Sequence, residues 1–124
     1  MKFLENKKIL IIITGGIAAY KTLDLIRKLS KLNCEIKTIL TKSGKEFVTP
    51  LSITSLSKNK VYTDLFSVEN ESEMDHISLS RWSDLILVAP ASSNFLTKIS
   101  NGFSDDLAST VIKHQTKRFF CALQ

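Results

Sequence analysis

The stretch from Lys8 to Leu40, KILIIITGGIAAYKTLDLIRKLSKLNCEIKTIL, decides the fold of this chain. Residues 8–14 form a continuous aliphatic run closed by two glycines, a pattern typical of a strand buried on both faces of a parallel sheet. Over residues 17–32 the apolar side chains form a wide stripe at helical spacing, which predicts an amphipathic helix ending near Asn33. Residues 34–40 have the composition of a second strand. This β-α-β unit predicts an α/β fold with a parallel sheet and right-handed crossovers.

The rest of the chain continues the alternation of strands and helices. The further predicted strands are Val61–Tyr62, residues 84–89 ending at Pro90, and residues 118–123. The predicted helices are residues 44–48, Pro50–Ser57, residues 95–100 capped within the turn 92–94, and Leu107–His114 capped by Asp105 or Asp106. Residues 69–75 are predicted to form a loop. Because the chain stops within the pattern of a central strand, we expect a single domain that is incomplete at its C-terminus.

Composition narrows the class of protein. With 124 residues, 44% of them hydrophobic and 23% charged, the chain suits one globular domain. It has no apolar run near the roughly 20 residues of a membrane span and no signal-peptide pattern, so we expect a soluble, cytoplasmic protein without a membrane partner. Cys34 and Cys121 lack nearby His or Cys partners, which predicts free thiols and no metal site. The net charge of +5 is dispersed, which disfavours nucleic acid and suits an anionic small molecule.

Three polar loops, residues 14–16, 41–44 and 90–94, follow predicted strand ends. Because the carboxyl ends of parallel strands meet at one edge of a sheet, these loops are expected to line one ligand site. The two glycines of the first loop would let an anion approach backbone N–H groups at a helix start. The alternative is that the glycines only turn the chain and the other residues only cap helices. The glycine spacing is not G-x-G-x-x-G, which disfavours NAD.

The histidines and the single tryptophan allow a functional and a structural interpretation. His76 precedes an apolar segment, so its imidazole would sit at a loop edge and titrate near neutral pH; the alternative is a surface or packed histidine. His114 lies at a predicted helix C-terminus, where a favourable interaction with the helix dipole explains the presence of a histidine. Trp82 is more typical of packing or an interface than of a stacking platform.

Four segments resemble one known family in order and in content. They are TGGIAAYKTLDLIRKL (residues 14–29), LTKSGKEFVTPL (residues 40–51), HISLSRWSDLILVAPASSN (residues 76–94) and NGFSDDL (residues 101–107). Together they are similar to the homo-oligomeric flavin-containing cysteine decarboxylases. The GGIAAYK, HIxLxxW and PASxN motifs are specific in combination.

The resemblance implies a three-layer, Rossmann-like (flavodoxin-like) fold that binds FMN. The residues it assigns to FMN are Gly15, Gly16, Ile17, Ala18, Thr41, Ser43, Phe47, Ser92, Ser93, Asn94 and Phe95. It assigns His76 to acid/base work or to orienting the substrate carboxylate. It also implies a homotrimer or higher homo-oligomer whose flavin site lies between subunits.

The implied reaction is the FMN-dependent decarboxylation of 4'-phospho-N-pantothenoylcysteine to 4'-phosphopantetheine in coenzyme A biosynthesis. A cysteine whose amine is tied up in an amide lacks an electron sink for this step, and oxidation of its side chain by FMN supplies one. Two alternatives remain open. One is a non-catalytic flavin-binding or regulatory subunit, and the other is a related flavoprotein acting on another anionic or peptidyl-cysteine substrate. A chain that does not fold is a further possibility, since an exposed apolar terminal strand favours aggregation.

The sequence departs from the family pattern at two places. Phe95 replaces the usual Thr, and Ser93 the usual Ala, in the PASxN turn. The chain then ends CALQ where the family continues into a substrate loop and a later reductive cysteine, and Cys121 is not that cysteine. We therefore expect the substrate loop, the reductive cysteine and a synthetase domain to be missing from this chain.

Overall fold

A computed structural model describes residues 2–63, 76–115 and 119–123 of the chain. Five parallel strands form one sheet in the order β3-β2-β1-β4-β5. The strands are β1 (Lys8–Ile13), β2 (Glu35–Leu40), β3 (Val61–Tyr62), β4 (Leu85–Ala91) and β5 (Phe119–Leu123). The predicted α/β class and parallel sheet are therefore confirmed.

Helices cover both faces of this sheet. They are α1 (Ala19–Lys31), α2 (Pro50–Ser57), α3 (His76–Trp82), α4 (Ser93–Ser100) and α5 (Leu107–His114), with short 3-10 turns at Lys2–Leu4 and Gly44–Glu46. The first two helices pack on one face, and the other three pack on the opposite face. The result is the three-layer arrangement expected from the sequence.

β1 lies at the centre of both hydrophobic cores. Its residues from Ile9 to Ile13 are each at most 1% exposed. Ile9, Ile11 and Ile13 enter the core beneath α1 and α2, while Leu10 and Ile12 enter the core on the other face. Alternation of side chains across a pleated strand explains why a continuous aliphatic run was needed here. Each such side chain stabilises the fold by about 1.5–3 kcal/mol.

The ends of several elements agree with local signals in the sequence. Asn33 follows α1 with a positive φ of 61°, and its N–H bonds Ser30 O at 3.0 Å. Asp106, one of the two predicted candidates, is the residue that caps α5. Asn tolerates the left-handed conformation and Asp accepts from free helix N–H groups, so both residues end or begin helices as expected.

Several predicted boundaries were wrong, among them the start of α4, which is Ser93 rather than residue 95. β4 continues through Pro90 to Ala91 instead of stopping at residue 89. Pro90 is accommodated because the pairing of β4 with β5 shifts register between Val88 and Ala91, where a missing N–H costs little. The predicted helix over residues 44–48 is only the 3-10 turn Gly44–Glu46, and α1 begins at Ala19 rather than at residue 17.

Helix α3 was missed, because its seven residues mix polar and apolar side chains without a clear period. Leu79 anchors it, fully buried in the core that also contains Ile112 of α5. The loop predicted at residues 69–75, and residue 118 at the start of the last predicted strand, lie outside the described residues.

Candidate functional site

The site lies where the order of strand connections reverses. β1 has β2 on one side and β4 on the other, so the chain crosses back over the sheet between β3 and β4. Ligands of open α/β sheets bind outside the carboxyl ends of the strands at such a switch point. A pocket of about 320 Å³ is found there. Its lining residues are Thr14, Thr41, Lys42, Ser43, Ser92, Asn94, Phe95, Lys98, Asp105 and Asp106.

Several residues assigned to FMN from the sequence meet in this rim pocket. Those that line it are Thr41, Ser43, Ser92, Asn94 and Phe95. The remaining assigned residues, Gly15, Gly16, Ile17, Ala18, Phe47 and Ser93, are not part of its lining. The geometry places the three polar loops at one edge, as the strand ends predicted, and the individual roles stay predictions.

Thr41 holds the loop after β2 in place. Its backbone N–H and its Oγ1 both donate to Ile13 O, each at 3.1 Å. Thr41 Oγ1 in turn accepts from the N–H of Gly44 at 3.1 Å. A Cβ at Gly44 would lie 2.7 Å from Ile13 O, closer than real side chains come. Only glycine therefore lets this loop turn so tightly against the end of β1.

The loop after β1 is packed just as closely against the loop after β2. A Cβ at Gly15 would lie 2.7 Å from Ser43 Cβ. The following helix, α1, has Ala18 at its N-cap, without a side-chain hydrogen bond from the described residues. Thr49, Ser92 and Asp106, by contrast, cap α2, α4 and α5 with their side chains. At the start of α1 the N–H groups of Ala19 and Lys21 donate instead to backbone carbonyls, those of Gly16 and Ala18, each at 2.9 Å.

The turn after β4 is built around Ser92. Its Oγ accepts from the N–H of Phe95 at 3.1 Å, which caps α4. Its own N–H donates to Thr14 Oγ1 at 2.9 Å. The Ser92 hydroxyl is therefore used structurally as an N-cap, as the alternative interpretation of the sequence proposed, and it lines the rim pocket as well.

An ion-pair cluster forms one wall of the rim pocket. Lys98 Nζ lies 2.7 Å from Asp105 Oδ1 and 3.0 Å from Asp106 Oδ2. Burial acts to raise the pKa of Asp106, but hydrogen bonds from Ser109 and the charge of Lys98 outweigh it and hold that pKa below its usual range. Burial likewise acts to lower the pKa of Lys98, yet the two carboxylates keep it above its usual value. Lys98 is thus fixed as a cation at the pocket.

A second pocket of about 380 Å³ adjoins the first. The two share Thr41, Lys42 and Asp106 in their linings. Ile39 and Leu107 are among the apolar residues that line it, and Lys45 adds a further charge. The rim therefore offers a larger concave surface than either pocket alone.

Sequence reasoning missed part of the pocket wall. Thr14 and Lys42 lie within two of the three polar loops predicted to line the site. Their position just after a strand end was therefore the sequence signal that could have identified them. Lys98 and Asp105 were missed because their pairing joins a helix to a later loop. In the described part of the chain no cluster of three or more His, Cys, Asp or Glu could hold a metal ion.

The structure places His76 as the first residue of α3. This helix leads within a few residues into β4, so it runs against the strand direction and its first residue lies toward the carboxyl edge of the sheet. The side chain of His76 lies outside what the structure describes, and its catalytic role stays a prediction. His114 is exposed at the last turn of α5, where a histidine is compatible with the helix dipole.

Several large apolar side chains stand exposed near the same rim. Ile17 is 76% exposed, Tyr20 58%, Phe47 46% and Leu51 76%. All four lie at or just before the N-terminal ends of α1 and α2, the two helices that cover one face of the sheet. We refer to these four residues as the apolar rim patch. Within the described residues, no helix is long and apolar enough to cross a membrane.

Comparison with known proteins identifies the family. The chain matches the model of the family described as Flavoprotein over residues 2–121. It therefore belongs to the flavoprotein family, and the resemblance drawn from the sequence motifs is confirmed.

Individual relatives agree with this assignment. The chain is 45% identical over 108 residues to the coenzyme A biosynthesis bifunctional protein CoaBC of Haemophilus influenzae, covering 87% of this chain and 27% of that protein. It is 40% identical over 106 residues to the probable phosphopantothenoylcysteine decarboxylase of Streptococcus mutans, covering 86% of this chain and 59% of that protein. The solved structure of the FMN binding protein AtHal3 is similar with a TM-score of 0.78 at 28% identity, covering 96% of this chain and 66% of that one. The chain thus spans less than two thirds of each of these relatives.

Proposed function

We propose that this chain binds FMN and acts in the decarboxylation of 4'-phospho-N-pantothenoylcysteine to 4'-phosphopantetheine during coenzyme A biosynthesis. The observation that carries the proposal is the rim pocket, which gathers Ser, Thr and Asn side chains from three strand-end loops at the switch point. The names of the relatives CoaBC and phosphopantothenoylcysteine decarboxylase, which match most of this chain, support this choice of reaction.

The chemistry of the rim suits FMN. Its volume of about 320 Å³ falls within the range of small-molecule sites. Hydroxyl and amide groups of Ser43 and Asn94 match a ribityl chain, and Lys42 supplies positive charge near a phosphate. Phe95 contributes an apolar surface to the pocket lining.

FMN bound here would supply a two-electron acceptor for the substrate cysteine. The residues of the chain would bind and orient. Lys98 is locked between two carboxylates and so keeps a fixed charge at the pocket wall. Thr41 fixes the loop that carries Lys42 and Ser43, which keeps these side chains in position.

His76 is proposed as the acid/base or carboxylate-orienting residue. Its place at the start of α3, the helix that leads into β4, supports this role. An imidazole titrates near neutral pH and suits both tasks.

A homo-oligomer, with a trimer as the first candidate, is part of the same proposal. Exposed apolar surface often marks a protein contact, and the four exposed side chains of the apolar rim patch belong to the segments at the starts of α1 and α2. Covering it with a second copy of the chain would place a neighbouring subunit next to the cofactor. The mass of the chain in solution, measured with and without FMN, tests this part.

The function is tested on the purified chain in two stages. FMN is first titrated in, and binding is followed by visible absorption and by quenching of flavin fluorescence. Release of carbon dioxide from 4'-phospho-N-pantothenoylcysteine is then measured. We expect FMN binding and turnover in the wild type, and loss of turnover with retained FMN binding in His76→Asn.

His114→Asn is the matched control, because His114 is exposed at the far end of α5 and should leave turnover unchanged. A chain that binds FMN yet releases no carbon dioxide at any concentration would contradict the decarboxylase proposal and favour a flavin-binding or regulatory subunit. A chain that binds no FMN would contradict the proposal as a whole.

A further inference from the structure

Thr14 joins two of the rim loops through a fully buried hydroxyl. The residue follows the last residue of β1 and is 1% exposed. Its Oγ1 donates to Pro90 O and accepts from the N–H of Ser92 at 2.9 Å. Its own N–H also bonds Pro90 O, at 3.4 Å. One side chain thus ties the end of β1 to the end of β4.

The Thr14 hydroxyl acts both as a donor and as an acceptor in these contacts. Its proton is committed to Pro90 O, so it is not free for an anionic ligand that needs a donor. One lone pair is committed to Ser92, whose own side chain caps α4 through Phe95. The position of the turn that lines the rim pocket therefore depends on Thr14, although Thr14 itself offers no free proton to that pocket.

We propose that Thr14 is a positioning residue for the cofactor, because its hydroxyl holds the Ser92–Phe95 turn in its binding geometry. The inference rests on the proposed FMN function and deepens it. Replacing the hydroxyl by a methyl group of similar size leaves the partly buried Ser92 N–H without this acceptor, which destabilises the turn. The turn then relaxes, and the ligand site loses its preset shape.

Thr22 provides a matched control within the same region. It is also buried, at 4% exposure, and its Oγ1 donates to Ala89 O of β4 at 2.8 Å. It accepts no hydrogen bond from the turn in the described contacts, and it does not line the rim pocket. Thr22→Val removes one buried hydroxyl bond to a β4 carbonyl, as Thr14→Val does at Pro90 O, but leaves the acceptor of the Ser92 N–H in place.

The experiment compares Thr14→Val, Thr14→Ser and Thr22→Val in the full chain. FMN affinity is measured by titration, and the exchange rate of the Ser92 amide hydrogen is measured without FMN. For Thr14→Val we expect FMN binding weakened about tenfold and faster Ser92 exchange. Thr14→Ser, which keeps the hydroxyl, should restore both values, and Thr22→Val should leave both within about threefold.

Equal FMN affinity for the wild type and Thr14→Val, or equal losses in Thr14→Val and Thr22→Val, would overturn the positioning role while leaving the proposed function standing. A wild-type chain that binds no FMN would overturn the proposed function and this inference together. If Thr14→Val does not fold, Thr14→Cys takes its place, since the cysteine side chain has nearly the volume of threonine and its sulfur is a weaker acceptor, and the same comparison decides.

Discussion

The close contact between the first two rim loops can be tested by filling the space at Gly15. A Cβ there would lie 2.7 Å from Ser43 Cβ and 3.4 Å from the Ser43 carbonyl carbon. The first distance lies below any normal contact and the second is within tolerable range. Gly15→Ala therefore forces the loops apart unless the Ser43 side chain is also removed, as in the double variant with Ser43→Gly.

The size of the effect follows from these distances. Overpacking of this kind costs about 1–3 kcal/mol, and the restriction of the unfolded chain by Ala returns about 0.4–1 kcal/mol. We expect Gly15→Ala to lose about 1–2 kcal/mol of stability and Ser43→Gly about 0.5–1 kcal/mol. In the double variant the clash with Ser43 Cβ is gone, so its stability should equal or exceed that of Gly15→Ala alone, with a coupling of about 1–3 kcal/mol.

Urea unfolding at pH 7, followed by circular dichroism without FMN, measures the free energy of unfolding of the wild type, the two single variants and the double variant. Gly102→Ala is the control, because a Cβ at Gly102 meets nothing within 4 Å and its cost comes only from its φ of 76°. Combined with Ser43→Gly it should be additive. If the losses of Gly15→Ala and Ser43→Gly also simply add, the loops are not in contact and the reasoning is refuted.

Three further changes probe the cap, a helix end and the core. Asp106→Ala should cost about 1 kcal/mol of stability through the lost N-cap of α5. Because the pKa of Asp106 is lowered in the folded chain, the stability that its charge contributes is lost as the pH falls below about 3.9 toward that folded pKa. The unfolding curves of wild type and Asp106→Ala should therefore converge in acid, and a constant difference would contradict this. Lys58→Gly should raise stability by about 0.5–1 kcal/mol, because Lys58 follows α2 with a φ of 61°, and no rise in melting temperature would count against that strain. Ile12→Ala should cost about 2–5 kcal/mol in urea unfolding, since Ile12 is 0% exposed, whereas Ile12→Val should cost only about 1 kcal/mol, and equal costs would exclude a tightly packed site.

Local patterns were sufficient to predict most of the fold. The aliphatic run of β1, the amphipathic stripe of α1 and the second strand each carry their signal within a few residues, so the β-α-β unit follows from periodicity alone. Asp106 and Ser92 were predicted near helix starts because N-caps have a short-range chemical signature. α3 was missed because a seven-residue helix has too few turns to show a period, and tertiary packing of Leu79 stabilises it instead.

The candidate site was predictable at the level of loops but not of contacts. Because parallel strands end at one edge of a sheet, the order of elements in the sequence was enough to predict that the three polar loops lie together. The wall formed by Lys98 and Asp105 was not predictable, because nothing in the local sequence indicates that an α4 side chain reaches the loop before α5.

The sequence by itself determined the α/β class, the central strand and the family motifs, since each depends on residue type and short spacing. The tertiary structure alone decided which groups meet. Thr14 and Ser92 lie 78 positions apart, yet a single hydroxyl joins them because β1 and β4 are neighbours in the sheet. That adjacency arises when the chain crosses back over the sheet to bury both faces of β1, and this long-range step leaves no mark in the sequence around either residue.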